Sequence, residues 1–205
     1  MPLQTFPTES RPARVPETRR RASACAALLL LPLILNCAWA GQEPTPELRE
    51  RVRSALANAN SFTDKFDAQV WLTDMAGRLG KQVSDPATGV EILRMAHQEA
   101  TRAGLPPEMV LAVIDVESAF NPFAVSSAGA QGLMQVMPFW RKELGRHRLV
   151  DIRDNLLMGC TILRYYYDME NRDWMKALAR YNGSVGRRDY SQLVLDRLRT
   201  RWFRQ

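Results

Sequence analysis

A chain of 205 residues with 46% apolar and 24% charged positions can bury a sizeable core and has a globular balance, which excludes a fibrous or wholly disordered protein. Its formal net charge of +6 falls to +3 if cleavage precedes Gly41, because five Lys or Arg and two Asp or Glu lie before that residue. That mild excess suits an anionic polymer and gives no argument for nucleic acid.

In chain order, residues 1–40 read as an export signal. Arg19-Arg20-Arg21 precede the apolar run from Ala22 to Leu35, and Ala38-Trp39-Ala40 offers small residues at the spacing a signal peptidase reads. The run falls short of the about 20 residues that a permanent span needs, so no permanent transmembrane segment is expected. Arg19-Arg20 lacks the flanking pattern of a twin-arginine signal. Asn36 stands where lipid attachment at Cys37 would want a small residue, which argues against a lipid anchor there. After cleavage only Cys160 remains, so packing rather than an intrachain disulfide must hold the domain.

Residues 41–85 form an N-terminal extension. A polar leader from Gly41 to Pro46 precedes two helical patterns. The first carries Leu48, Val52, Ala55 and Leu56; the second, from Thr63 to Leu79, carries Phe66, Val70, Met75 and Leu79 on one stripe. Neither can bury its stripe alone, so both are expected to pack on residues 86–205.

That larger unit begins at Ser84-Asp85-Pro86, a capping side chain followed by proline. Its first helix carries Val90, Ile92, Leu93, Ala96 and Ala100 and stops at Gly104. Pro106-Pro107-Glu108 starts the next, in which Met109, Val113, Val116 and Phe120 face the core, and Asn121-Pro122 breaks it. A loop of small residues, Ser126 to Gly132, leads to Leu133-Met134-Gln135-Val136-Met137-Pro138. A short helix from Pro138 to Leu144 follows, then helices from Leu156 to Tyr167, Asp173 to Tyr181 and Ser191 to Phe203, with Asp151 as a start signal and Asn182-Gly183-Ser184 as a turn. Strand alternation is missing throughout, so the class is all-α.

Glu117 sits near the exit of an apolar helix. Burial there penalises the carboxylate and keeps a proton available near neutrality, which suits a general acid at a glycosidic oxygen. A surface glutamate at a helix margin is the plainer alternative. Asp115, two residues away, points to another side of the helix.

Glu117-Ser118, Gly129-Ala130, Gly132-Leu-Met-Gln-Val-Met-Pro138 and Ala179-Arg-Tyr-Asn-Gly183 resemble, in order and approximate spacing, the motifs of the soluble-lytic-transglycosylase-like (SLT) domain. The late motif departs from that family's AYNAG, with Arg180 between Ala179 and Tyr181 and Ser184 where a second glycine or proline might follow. The resemblance implies a lysozyme-like helical fold, on which the extension's two helices, lying outside the motifs, are expected to pack because neither can bury its stripe alone. It also implies a single catalytic glutamate, Glu117, acting as acid and then base on peptidoglycan to leave a 1,6-anhydromuramyl end, with no metal and no cofactor.

By the same resemblance Ser118, Ser126, Gln135, Met137, Tyr181 and Asn182 are substrate-binding, with the Tyr181 hydroxyl orienting Glu117. The implied setting is periplasmic, with peptidoglycan strands as substrate and envelope secretion, conjugation or pilus machinery as candidate partners. Two alternatives stay open: a goose-type muramidase that delivers water, and a non-catalytic glycan-binding component of an envelope machine.

Overall fold

The computed structural model describes residues 46, 65–80, 82–141 and 148–203, without the side chains of 65–69. The export signal, Cys37, the first helix of the extension and Leu144 lie outside the described residues. Six α-helices are described: α1 (Lys65–Leu79), α2 (Pro86–Ala103), α3 (Pro107–Ser118), α4 (Ile152–Met169), α5 (Trp174–Tyr181) and α6 (Asp189–Arg197). A π-helical turn, Leu198–Trp202, continues α6, and a 3-10 turn, Pro138–Trp140, follows the Gln135-Val136-Met137 segment.

Side-chain caps set the starts. Asp85 accepts from the backbone of Ala87 and Thr88, Asp151 from that of Asp154, and Asp173 from that of Lys176. The cap at Asp151 begins α4 earlier than the apolar pattern from Leu156 suggests, because Asn155 faces inward and belongs to the buried face. Similarly α6 begins at Asp189, two residues before the predicted Ser191, and so takes in Tyr190.

At the centre lies α3. Six consecutive residues, Met109 to Ile114, are each at most 2% exposed. A helix apolar around its whole circumference is one enclosed on every side. It packs against α2, α6 and the π-helical turn, while α4 lies on α2 and α5. From the extension, α1 adds Trp71, Met75 and Leu79 to the same core. The predicted stripe on α1 is corrected at Val70, which is 49% exposed, and that on α2 at Val90, which is 44% exposed; on α1 Trp71 turns inward instead, its indole donating to Glu108 at 2.9 Å.

The loop after α3 is more ordered than its composition suggested. Two isolated antiparallel bridges, Val125 with Gln131 and Gln131 with Val136, fold residues 124–136 back on themselves. Tyr165 and Tyr166 are buried, whereas Tyr167 is half-buried and stacks on Trp174 with ring centroids 3.9 Å apart. Trp140 belongs to the core. Cys160 is also buried, its Sγ 3.9 Å from Met134 Sδ, and burial pushes its thiol far above the range in which it could ionise.

Candidate active site

Two features fix Glu117 in the last turn of α3. Pro106 and Pro107 open the helix, and Ala119 and Phe120 close it by adopting left-handed backbone at φ 48° and 64°. Neither is glycine, so each conformation carries a cost on the order of 1–3 kcal/mol that surrounding contacts must offset. Phe120 supplies some of them: it is buried, its ring 5.2 Å from that of Trp202.

The two acids of α3 diverge, as residues roughly 200° apart on a helix must. Asp115 turns toward the chain's last described turn, where Trp202 Nε1 donates to it at 3.0 Å and an Arg201 guanidinium nitrogen lies 3.7 Å away. Gln82 donates to its other oxygen at 3.4 Å. Asp115 is therefore a tie between elements, while Glu117 faces α6.

There the Tyr190 hydroxyl donates to Glu117 Oε1 at 2.6 Å. Burial pushes the Glu117 carboxyl from 4.5 up to about 7, the Tyr190 hydrogen bond pulling more weakly in the opposite direction. The side chain is only half-buried, so a ligand can reach a group that water hydrates poorly. At neutral pH both protonation states are well populated, which is what a group that must give and then take a proton needs.

Beside Glu117, three helices pin one backbone segment. From α3, the Ser118 hydroxyl donates to the Leu133 carbonyl at 2.8 Å. From α5, the Tyr181 hydroxyl donates to the Met134 carbonyl at 2.8 Å. From α4, Asn155 accepts from Met134 N at 2.7 Å and donates to the Gln131 and Leu149 carbonyls at 2.8 and 2.7 Å. The approach is so close that a Cβ at Gly132, whose φ is +76°, would lie 2.4 Å from both Asn155 and the Leu149 carbonyl. At Gly159 a Cβ would meet Met134 Sδ at 2.4 Å. Glycine at both positions is a packing requirement.

One expectation is corrected. Tyr181 does not orient Glu117 through its hydroxyl, which is directed to Met134; Tyr190 makes that contact. Ser118 likewise spends its hydroxyl on backbone carbonyls, of Ile114 and Leu133. Asn182 is buried at the C-terminus of α5. Gln135 is buried with φ 48°, and its amide nitrogen donates to the carbonyls of Ala124 and Gly132, leaving its own carbonyl oxygen to offer a ligand. Ser126 accepts from Ala130 N at 3.0 Å, and its hydroxyl proton has no acceptor among the described residues. Met137 is half-buried against the core. No group of three His, Cys, Asp or Glu side chains placed to hold a metal occurs among the described residues.

The transglycosylase SLT domain family matches residues 94–193, an interval that includes Glu117, the Gly132–Pro138 segment, Tyr181 and Tyr190. Residues 94–193 are an SLT domain. Three relatives share parts of it. Membrane-bound lytic murein transglycosylase C of Glaesserella parasuis is 50% identical over 89 residues, covering 37% of this chain and 24% of the relative. The transglycosylase of Enterobacteria phage PRD1 is 36% identical over 86 residues, covering 42% and 32%. Membrane-bound lytic murein transglycosylase D of Escherichia coli is 33% identical over 95 residues, covering 43% and 21%. The chain thus spans no more than a third of these relatives' length. A solved complex of the 70-kDa soluble lytic transglycosylase with bulgecin A aligns with 77% of this chain and 26% of its own, at 21% identity and a TM-score of 0.41. In the SLT domain, Tyr190 is the site residue that sequence reading passed over. The signal available was its place in the first turn of an amphipathic helix, on the face of Val194.

Proposed function

We propose that this chain is a peptidoglycan lytic transglycosylase, cleaving the β-1,4 bond between N-acetylmuramic acid and N-acetylglucosamine and leaving a 1,6-anhydromuramyl end. The observation that carries the reading is a glutamic acid held near pH 7 by burial, open to a ligand and bonded to Tyr190, inside an SLT domain. Two of the relatives described above are lytic murein transglycosylases.

Protonated Glu117 gives its proton to the glycosidic oxygen as the bond from C1 breaks. The substrate's own 2-acetamido oxygen bonds to C1 in its place, so no second protein carboxylate is called on. Ionised Glu117 then takes the proton of the muramyl C6 hydroxyl while that oxygen attacks C1, displaces the acetamido oxygen and closes the anhydro ring. The acid is regenerated and no water is consumed. Tyr190 steadies the carboxylate between the two halves.

Ser126, Gln135 and Met137 are assigned to the glycan. Ser118, Tyr181 and Asn182 act at one remove, by holding the Leu133-Met134 backbone and the end of α5. We place the enzyme in the cell envelope after export, on the strength of residues 19–40 and the membrane-bound relatives. No helix among the described residues is long and apolar enough to cross a membrane.

Digestion of purified sacculi tests the reading. The soluble products should be lighter by one water than the corresponding reducing muropeptides, and Glu117→Gln should cut their release by at least about a hundredfold. Reducing ends in place of anhydro ends would make the enzyme a muramidase, and undiminished release by the variant would remove Glu117 from the chemistry.

A further inference from the structure

One buried side chain grips α3 on both sides of Glu117. Trp202, the last residue of the π-helical turn, is fully enclosed. Its indole Nε1 donates to Asp115 at 3.0 Å, two residues before the acid, and its ring lies 5.2 Å from that of Phe120, three residues after it. The SLT match ends at residue 193, so Trp202 stands outside the interval that carries the family signature. A π turn is a rare element that recurs at functional sites, and here it is the element that delivers Trp202.

The grip acts on the last turn of α3. The bond from Tyr190 holds the tip of the Glu117 side chain, but the direction in which that side chain leaves the helix is set by the backbone between Asp115 and Phe120. Ala119 N bonds the Asp115 carbonyl at 3.2 Å and closes this turn between the two residues that Trp202 touches. The turn ends in left-handed backbone, and the packing of the Phe120 ring on Trp202 offsets part of the cost of holding φ at 64°.

A second layer holds Trp202 itself. The Arg201 guanidinium lies 5.0 Å from the centre of its ring and donates to the Arg78 and Leu79 carbonyls at 3.0 and 3.4 Å. Arg78 donates in return to the carbonyls of Arg201 and Phe203. Each arginine thus caps the terminus of the helix that carries the other, a placement that the negative end of a helix dipole favours. Because α1 precedes the matched interval and Trp202 follows it, segments from both flanks converge on the end of α3.

We infer that Trp202 is a positioning residue for Glu117, and that the clasp between Arg78 and Arg201 makes α1 part of the working enzyme. The inference rests on the reading of Glu117 as the acid and adds what aims it. Displacing a reacting group by about 1 Å costs up to about a hundredfold in rate. Such a defect falls on kcat and spares KM, because substrate binding does not depend on the aim of the acid.

The test measures kcat and KM of the full chain on solubilised glycan strands, counted as anhydro ends, with the folded fraction of each variant fixed by circular dichroism and urea unfolding. Trp202→Leu removes both ring and indole donor, and should lower kcat by about tenfold or more while KM stays within about twofold. Trp202→Phe keeps a ring for Phe120 and loses the bond to Asp115. It should unfold at lower urea concentration than the wild type yet recover kcat to within about threefold. Arg78→Ala should lower kcat by about threefold with KM unchanged, and it decides the matter if Trp202→Leu does not fold. Undiminished kcat in folded Trp202→Leu, or in Arg78→Ala where that variant decides, would overturn the inference. So would a Trp202→Phe enzyme that lost as much kcat as Trp202→Leu. A wild-type protein that released no anhydro ends would overturn the functional reading itself, whereas with an active wild type these outcomes bear on Trp202 and its clasp alone.

Discussion

The Tyr190 hydroxyl donates a 2.6 Å hydrogen bond to Glu117 Oε1 across 73 positions of sequence. A bond to the ionised form lowers a carboxyl's pKa, and here it works against the larger effect of burial. Tyr190→Phe should therefore move the alkaline limb of the kcat/KM profile upward, since the acid keeps its proton to higher pH. Loss of the oriented bond should also lower the rate by roughly tenfold or more. A profile that stayed in place while the rate fell would reduce Tyr190 to packing.

Glu117 also leaves a mark on stability. Below about pH 4.5 it is protonated in both folded and unfolded chains, and its burial carries no ionisation penalty. Between that value and about 7 the unfolded chain releases a proton that the folded one retains, so folding loses up to about 3 kcal/mol as pH rises through the window. Glu117→Gln should match the wild type in melting temperature near pH 4 and exceed it at pH 8. Calorimetry at the two pH values decides.

Asn155→Ala removes one acceptor and two donors from a buried cluster. The Met134 amide and the Leu149 carbonyl would lose the bonds described, the Gln131 carbonyl would keep only that from Val136 N at 2.9 Å, and destabilisation of about 3 kcal/mol should follow in urea unfolding. Asn155→Asp should rescue little, because it restores the acceptor and sets a negative charge against two carbonyls.

Asp115→Ala separates structure from chemistry on one helix. It strands the Trp202 indole and removes the acid beside Arg201, so a loss of about 2–4 kcal/mol in stability is expected. The pH profile of the surviving folded enzyme should keep its shape, because Asp115 and Glu117 face different neighbours. A displaced profile would show that the two acids communicate.

The helix starts at Asp85, Asp151 and Asp173 and the apolar centre of α3 are local matters, and local pattern carried them. So did Glu117, whose position before Asn121-Pro122 marks a helix exit. Tyr181 and Tyr190 were not separable that way. Both are tyrosines near α5 and α6, and only three-dimensional packing decides which hydroxyl meets the carboxyl and which meets Met134. Asn155 reads along the chain as part of a helix start, yet its partners lie 21 and 24 residues back. Val70 and Trp71 exchange faces for a related reason: a stripe read at this spacing leaves a one-residue choice that only the neighbouring helix settles.

The double left-handed exit at Ala119 and Phe120, with the proline pair at the opposite end, gives α3 no room to slide. One residue inserted between them would rotate everything beyond it by about 100° and swing Glu117 out of reach of Tyr190. The active carboxyl thus behaves like a clock hand clamped at both ends of its spindle, and natural or engineered length changes can be absorbed outside α3 but not within it.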